Sequence, residues 1–457
     1  MKINTLLDKA KKYVLSFFYP LSLSILTFFI WFSPTSISYV LAIIYGLLSF
    51  LPLLTENGKS YLALLLFPIV AQNENISTSS IAPYIIIMIG STIVSIVIYI
   101  IIHKLEFRKG DMMVPLLMLI GSFFISFFYN AIKNQFLDTS SLLFLFFMLI
   151  ECLSYSLLCT TIGREDSFPF LCKAICLFSV VISLEILTFC IKNGFTFGPK
   201  NFNLGWAYTI QSASSLLCMT LPFYGILIYF KKWQWIIPEL LVIASIFILS
   251  TDSALLCLLF AFIPLILLSF RSYGKLYSYI SLAMIIAIGT TTVLFILFNQ
   301  RFSDRLLQAL SSLNLLHEEG SRKTLFQEAV DSFLTNPYVG TSISSFSNGN
   351  NTLTFASNTI LSVMVAGGSL SLICYLLYEV KLYVITFRKK THNKWIYLVF
   401  LLLFEMIGLI DNTMFNLGIL ELFLISQATY EMSNRPEDVI VHNEFYRNYK
   451  KKPNSLT

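Results

Sequence analysis

The sequence predicts an all-α fold, a polytopic bundle of about 12–14 transmembrane helices with one large extracytoplasmic loop that carries amphipathic helices. Three observations predict it. Only 12% of the 457 residues are charged and 56% are hydrophobic, where a soluble domain is nearer a quarter charged. Mean hydropathy is +0.75. Apolar runs of 18 residues or more recur along the whole chain, each long enough to cross a hydrocarbon core of about 30 Å. A β-barrel would show alternating segments of about ten residues instead, and none dominate. The chain reads as one integral membrane domain, 1–457, without an internal repeat or a low-complexity linker.

The elements follow in order. The basic start MKINTLLDKAKKY precedes an apolar segment at 14–32 with no small-residue cleavage site behind it, so a retained first helix is expected. Further spans are expected at 35–54, 60–71, 81–102, 112–129, 141–162, 168–191, 206–230, 235–250, 254–270, 278–298, 358–380, 395–410 and 413–431. The segment 60–71 is too short to span unaided, and the last span carries Asn416 and Glu421. With the N-terminus in the cytoplasm and strict alternation, roughly 24 of the 31 lysines and arginines fall on the inner side, the asymmetry that orients helical membrane proteins. Both termini are then cytoplasmic, the polar tail from 432 to 457 is internal, and the long segment 299–357 faces out.

Cysteine and histidine exclude some chemistry. Eight cysteines lie in or beside apolar segments without a C-x-x-C pair, and the four histidines are scattered, so packed thiols are expected and no metal site. No P-loop, no G-x-G-x-x-G and no D-x-D occurs, and the charge of +6 is explained by topology without nucleic acid.

The outer segment 299–357 carries the chemistry-bearing residues, since connections of this length are functional or disordered. Leu306, Leu307, Leu310, Leu313 and Leu316 recur at helical spacing, as in a helix lying on the membrane surface. In GSRKTLFQEAVDSFLTNPYVG (320–340), Ser321 is a plausible N-cap and Arg322 and Lys323 open a helix. Leu325, Phe326, Ala329, Val330, Phe333 and Leu334 form its apolar stripe, Glu328, Asp331 and Ser332 its wetter side, and Asn336-Pro337 its end. Cations at a helix N-terminus oppose the macrodipole. An anion there reverses the sign, because free backbone N–H groups and both cations converge on it. Basic residues touching lipid headgroups would explain the same pattern. Among acids inside apolar spans, Glu151, Glu185, Glu379, Glu405 and Glu421, an intramembrane carboxyl is costly and often functional, but helix packing explains each as well. Glu379, near an inner helix end, is expected to snorkel.

These motifs, in order and on one face, resemble the O-antigen polymerase and ligase superfamily. The family shows a G-R start, an apolar-patterned helix, P-x-x-G-x-G, and H-N-x-x-L before a helix with G-x-x-G. The matching residues are Ser321-Arg322, then Asn336-Pro337-Tyr338-Val339-Gly340, then Ser357-Asn358-Thr359-Ile360-Leu361 with Gly367-Gly368. FTFGPKNFNLGWA (195–207) is similar to the family's outer segment with N-P-N, and ILSTDSALL (248–256) to its S-R-G-A turn. Ser357 stands where ligases have histidine, which favours a polymerase, and the arginine of the turn is missing.

The resemblance implies a glycosyltransferase of the bacterial cytoplasmic membrane. It would join undecaprenyl-diphosphate-linked oligosaccharides on the outer face, as in O-antigen or capsule synthesis, without cofactor or metal. A flippase and a chain-length regulator are the implied protein partners. Arg322 becomes the main diphosphate clamp, followed by Lys323, Lys200, Arg305 and Arg301. Asp252, Asp411 and Glu328 become the candidate bases, with Asn358 and Trp206 as substrate contacts. The alternatives are a lipid-linked oligosaccharide flippase and a ligase-like transferase to another acceptor.

Overall fold

The computed structural model describes residues 2–72, 82–134, 138–162, 167–194, 204, 210–229, 233–249, 251, 257–258, 321–343, 347–348, 352–353, 358–388, 393–410 and 412–433. Among these, six helices are long and apolar enough to cross a membrane: Thr35–Leu54, Pro83–Ile102, Met113–Lys133, Thr139–Thr161, Ser167–Asn193 and Thr359–Arg388. The pair Thr5–Leu15 and Phe18–Phe32 is apolar enough only when taken together, and it is bent by 71°. The chain is a multi-pass helical membrane protein. The expected spans 254–270 and 278–298, and the expected surface helix around Leu306–Leu316, lie outside the described residues.

Cross-links between helices define two ends. Helix α1 (Lys2–Leu15) marks the first. There Phe17, just before α2 (Phe18–Phe32), packs on Trp235 before α10 (Ile236–Leu249), with ring centroids 5.8 Å apart. His103, after α5 (Pro83–Ile102), meets the Leu53 carbonyl beyond α3 (Thr35–Leu48) at 3.3 Å. The Asp111 amide, before α6 (Met113–Asn134), donates to Glu431 at the end of α14 (Leu417–Ser433) at 2.8 Å. The other end is tied as closely. Trp31 donates to the Leu204 carbonyl at 2.9 Å, and Lys192 of α8 (Ser167–Asn193) lies over the Trp31 ring at 5.7 Å. Tyr39 packs edge-on against Tyr84 at 5.7 Å. Ser212 of α9 (Ile210–Tyr229) accepts from Asn416 at 2.7 Å. Among the described residues, these contacts place successive helices from α2 to α10 in alternating directions between the two ends.

The short segment joins this alternation. Residues Gly58–Val70 form a central turn of α-helix, α4 (Tyr61–Leu66), between two 3₁₀ turns. Ser60 donates to the Val14 carbonyl at one end, and Ile69 lies against Gly418 toward the other. The 3₁₀ turns rise about 2.0 Å per residue, so the segment covers roughly 23 Å. Every residue from Tyr61 to Leu66 is buried. Tyr45 donates to the Leu64 carbonyl at 2.8 Å, which satisfies an acceptor that the short helix leaves open. A sheath of other helices thus replaces the length that the segment lacks.

The expected first span, 14–32, is interrupted. Helices α1 and α2 meet at 71°. Ser16 explains the break: its hydroxyl donates to the Tyr13 carbonyl at 2.7 Å and accepts from the Phe18 amide at 3.2 Å, competing with helical bonds. Between the ends the core is apolar, with aromatic layers such as Phe404–Phe423 at 4.2 Å. All eight cysteines are buried, and no disulfide joins them. Among the described residues, basic side chains crowd the α1 end (Lys9, Lys11, Lys12, Lys104, Arg108, Lys109), whereas Lys133 and Lys192 mark the other.

Candidate functional site at the recessed end

Among the described residues, the end opposite α1 is recessed between α6, α7 (Thr139–Thr161) and the short loop that joins α13 (Asn393–Ile410) to α14. Phe415 of that loop packs against Phe123 of α6 at 5.3 Å. It also stacks on Phe144 of α7 at 6.3 Å. Phe123 lies three helical turns before the end of α6, so the loop sits on the order of 15 Å below it.

The floor of this recess is polar. Asn412 donates to Ser362 at 2.8 Å, and the Thr413 amide donates to Thr359 at 3.0 Å. Asn416 reaches Ser212, and Ser214 meets Thr251 at 2.6 Å. Asn358 caps α12 (Thr359–Arg388): its amide oxygen accepts from the Leu361 amide at 3.0 Å, and its Nδ2 donates to the Leu409 carbonyl at 3.0 Å. Buried hydroxyls and amides in mutual contact hold one arrangement, because an unpaired member would cost about 1–3 kcal/mol.

One wall is a broken helix. Helix α12 is interrupted at Gly368, with φ 64° and ψ −157°, a region essentially restricted to glycine. The loop Asn336–Thr341 fills the break. The Ser369 amide donates to the Pro337 carbonyl at 2.8 Å and the Leu370 amide to the Tyr338 carbonyl at 3.3 Å, while the Thr341 amide donates to the Val365 carbonyl at 2.9 Å. Both half-helix ends are therefore satisfied by one loop. Gly340 and Gly368 meet backbone to backbone: a Cβ on Gly340 would lie 2.5 Å from the Gly368 nitrogen, and one on Gly368 would lie 2.6 Å from the Gly340 nitrogen. The Gly340 carbonyl accepts from Asn130 of α6 at 3.1 Å and from Asn336 at 2.9 Å. Two motifs distant in sequence form one lock.

The lock anchors the charged helix α11 (Ser321–Thr335), which stops just before Asn336-Pro337 as expected and packs along α12. Ala329 is buried there, Val330 and Phe333 are half-buried, and Glu328 is exposed. Leu334 departs from the expected stripe, being 65% exposed. Arg322 and Lys323 occupy the first turn, where the description is of the backbone alone. Their Cα atoms lie about 20 Å along α11 from its end at Thr335. Lys200, Trp206, Asp252, Arg301, Arg305 and Asp411 lie outside the described residues. Asp252 follows Thr251 in the chain and Asp411 precedes Asn412, both floor residues.

The intramembrane acids resolve into different roles. Glu421 accepts from Ser154 of α7 at 3.2 Å on each oxygen, a helix-packing contact, with Glu151 beside it. Glu379, expected to snorkel, is instead enclosed beside Glu405 of α13 and Tyr375, and among the described residues neither of its oxygens has a hydrogen-bond partner. The helix pair α12–α13 brings them level, which spacing along one helix does not reveal. Glu185 on α8 is wholly buried, and among the described residues neither of its oxygens has a hydrogen-bond partner.

Sequence reasoning missed Asn130, Asn412, Thr413 and Ser212. The available signal was the amide-rich run DNTMFN (411–416) between two apolar spans. In comparisons with known proteins, no family model and no curated protein matches the chain.

Proposed function

We propose that this protein is a polysaccharide polymerase of the O-antigen or capsule type, joining undecaprenyl-diphosphate-linked oligosaccharides at its recessed end. One observation carries the reading. The two segments that resemble that superfamily, Asn336–Gly340 and the Gly367-Gly368 helix, are interlocked at the end where Asn358 and the polar floor lie. The excess of basic side chains at the α1 end supports a cytoplasmic position for that end and an outer position for the recess.

In the reaction, the bond from the donor sugar's anomeric carbon to the diphosphate oxygen breaks, and the diphosphate leaves with the electron pair. The acceptor hydroxyl bonds to that carbon and gives its proton to a base. Charge grows on the diphosphate in the transition state. Arg322, with Lys323 and then Lys200, Arg305 and Arg301, would stabilise that charge more than the ground state. Asp252 and Asp411, next in the chain to floor residues, are the leading bases, ahead of the exposed Glu328. No metal or cofactor is required.

A flippase is the rival. Transporters use the ends of broken helices to hold substrate. In α12 those ends are filled by Pro337, Tyr338 and Thr341 of the same chain, which favours a fixed scaffold. The test incubates purified protein with lipid-diphosphate repeat units and resolves the products by size. Wild type is expected to yield a ladder of longer glycans, and Arg322→Ala to yield none. A ladder of equal length from the variant refutes the clamp. Transbilayer movement of intact units without any ladder refutes the polymerase.

A further inference from the structure

Helix α1 is buried against the bundle at its C-terminal turn and exposed toward its start. Its C-terminal turn is anchored. Val14 is fully buried and its carbonyl accepts from Ser60 at 2.9 Å, while Tyr13 donates to Ser22 of α2 at 2.7 Å. Ala10, one turn earlier, is half-buried. The same helical stripe continues through Leu6 and Leu7, which are 71% and 37% exposed. At 71° to α2, the helix runs outward across the end of the bundle, and its apolar stripe outlasts the protein beneath it. Lys9 and Lys12 project from the neighbouring face and Lys11 from the far edge of the stripe, all exposed, with Asp8 the one acid among them.

We propose that α1 is an in-plane foot that binds the surface of the same bilayer the bundle crosses, with Leu6 and Leu7 sunk among the upper acyl chains and Lys9, Lys11 and Lys12 on anionic lipid headgroups. The apolar stripe gives depth, and the lysines give preference for anionic lipid. A roughly perpendicular turn out of a membrane span puts the helix at the interface, and a flanking basic face suits headgroup phosphates. Each lysine near an anionic surface is worth about a fivefold shift in the bound population, so the three together favour the docked state on the order of 100-fold. The inference goes beyond the polymerase reading and does not depend on it.

The test uses the full-length protein in nanodiscs. Because the eight native cysteines are buried, an environment-sensitive fluorophore can be placed selectively at Leu6→Cys, with Asp8→Cys as the polar-face control. In discs containing phosphatidylglycerol, the probe at position 6 is expected to emit in the blue and to be quenched by shallowly brominated lipid, and the probe at position 8 to emit as in water. The triple variant Lys9→Gln, Lys11→Gln, Lys12→Gln, or a change to phosphatidylcholine, is expected to lower that quenching, and added salt to act likewise. Water-like emission at position 6 in every disc overturns the foot. Equal quenching with and without the lysines, in either lipid, overturns the headgroup contact. Neither result involves glycan synthesis, so failure here is separable from failure of the polymerase.

Discussion

Gly368 and Glu185 show how single residues are held in unfavourable states. At Gly368 a Cβ would lie 2.6 Å from the Tyr338 carbonyl oxygen as well as from the Gly340 nitrogen. Both are backbone atoms and cannot swing aside. The positive φ adds about 1–3 kcal/mol for any other residue. Gly368→Ala is therefore expected to lower the melting temperature of the purified protein and to abolish transfer, because the loop that anchors α11 is expelled. An unchanged melting temperature would mean that the interlock is not formed. Glu185 behaves in the opposite way. A wholly buried carboxyl without a described hydrogen-bond partner costs free energy that a leucine of similar size would not. Glu185→Leu is expected to raise thermal stability and to reduce ladder formation. If stability rises and the ladder is unchanged, Glu185 has no part in the reaction. The sequence marked this residue as an acid in an apolar run; its burial and lack of partners are properties of packing.

At the scale of elements, the lock is a joint between α6, α11 and α12. Asn130 and Asn336 both donate to the Gly340 carbonyl, so either alone keeps that acceptor satisfied. Asn130→Ala and Asn336→Ala are each expected to cost about 1 kcal/mol or less. The double variant should cost more than the sum, with a coupling of about 0.5–3 kcal/mol, since it leaves a buried carbonyl bare. Denaturation of the four proteins of the cycle measures this, and strict additivity would contradict the shared acceptor. Most elements were legible because a bilayer demands long apolar runs, and the runs at 83–102, 139–161 and 167–193 fall within a few residues of the expected bounds. The N-P-Y-V-G and Gly-Gly motifs were legible as signals too. That they touch was not, because their contact is made by backbone groups and leaves no side-chain pattern. The break at Ser16 was missed for a related reason: one hydroxyl competing for a carbonyl does not change hydropathy.

For the whole molecule, the question is which end faces out. The short segment decides the parity. Were Gly58–Val70 a loop returning to its own side, every later connection would change sides and the charge asymmetry would vanish. Its contacts at Val14 and Gly418 carry it from one end of the bundle toward the other, and Tyr61–Leu66 is enclosed by protein that can stand in for lipid. The chain thus ends with Lys109 and Lys192 at opposite ends of the bundle. The proposed orientation, with positive charge retained in the cytoplasm, expects Lys109 inside and Lys192 outside. Because the native thiols are buried, Lys192→Cys and Lys109→Cys report on this directly. In intact cells a membrane-impermeant maleimide is expected to label the first variant and to reach the second only after permeabilisation. The reverse pattern would put the polar floor, the interlocked loop and α11 on the cytoplasmic side. No lipid-linked repeat unit displayed on the outer leaflet could then reach Arg322, and the polymerase reading would fall with the topology.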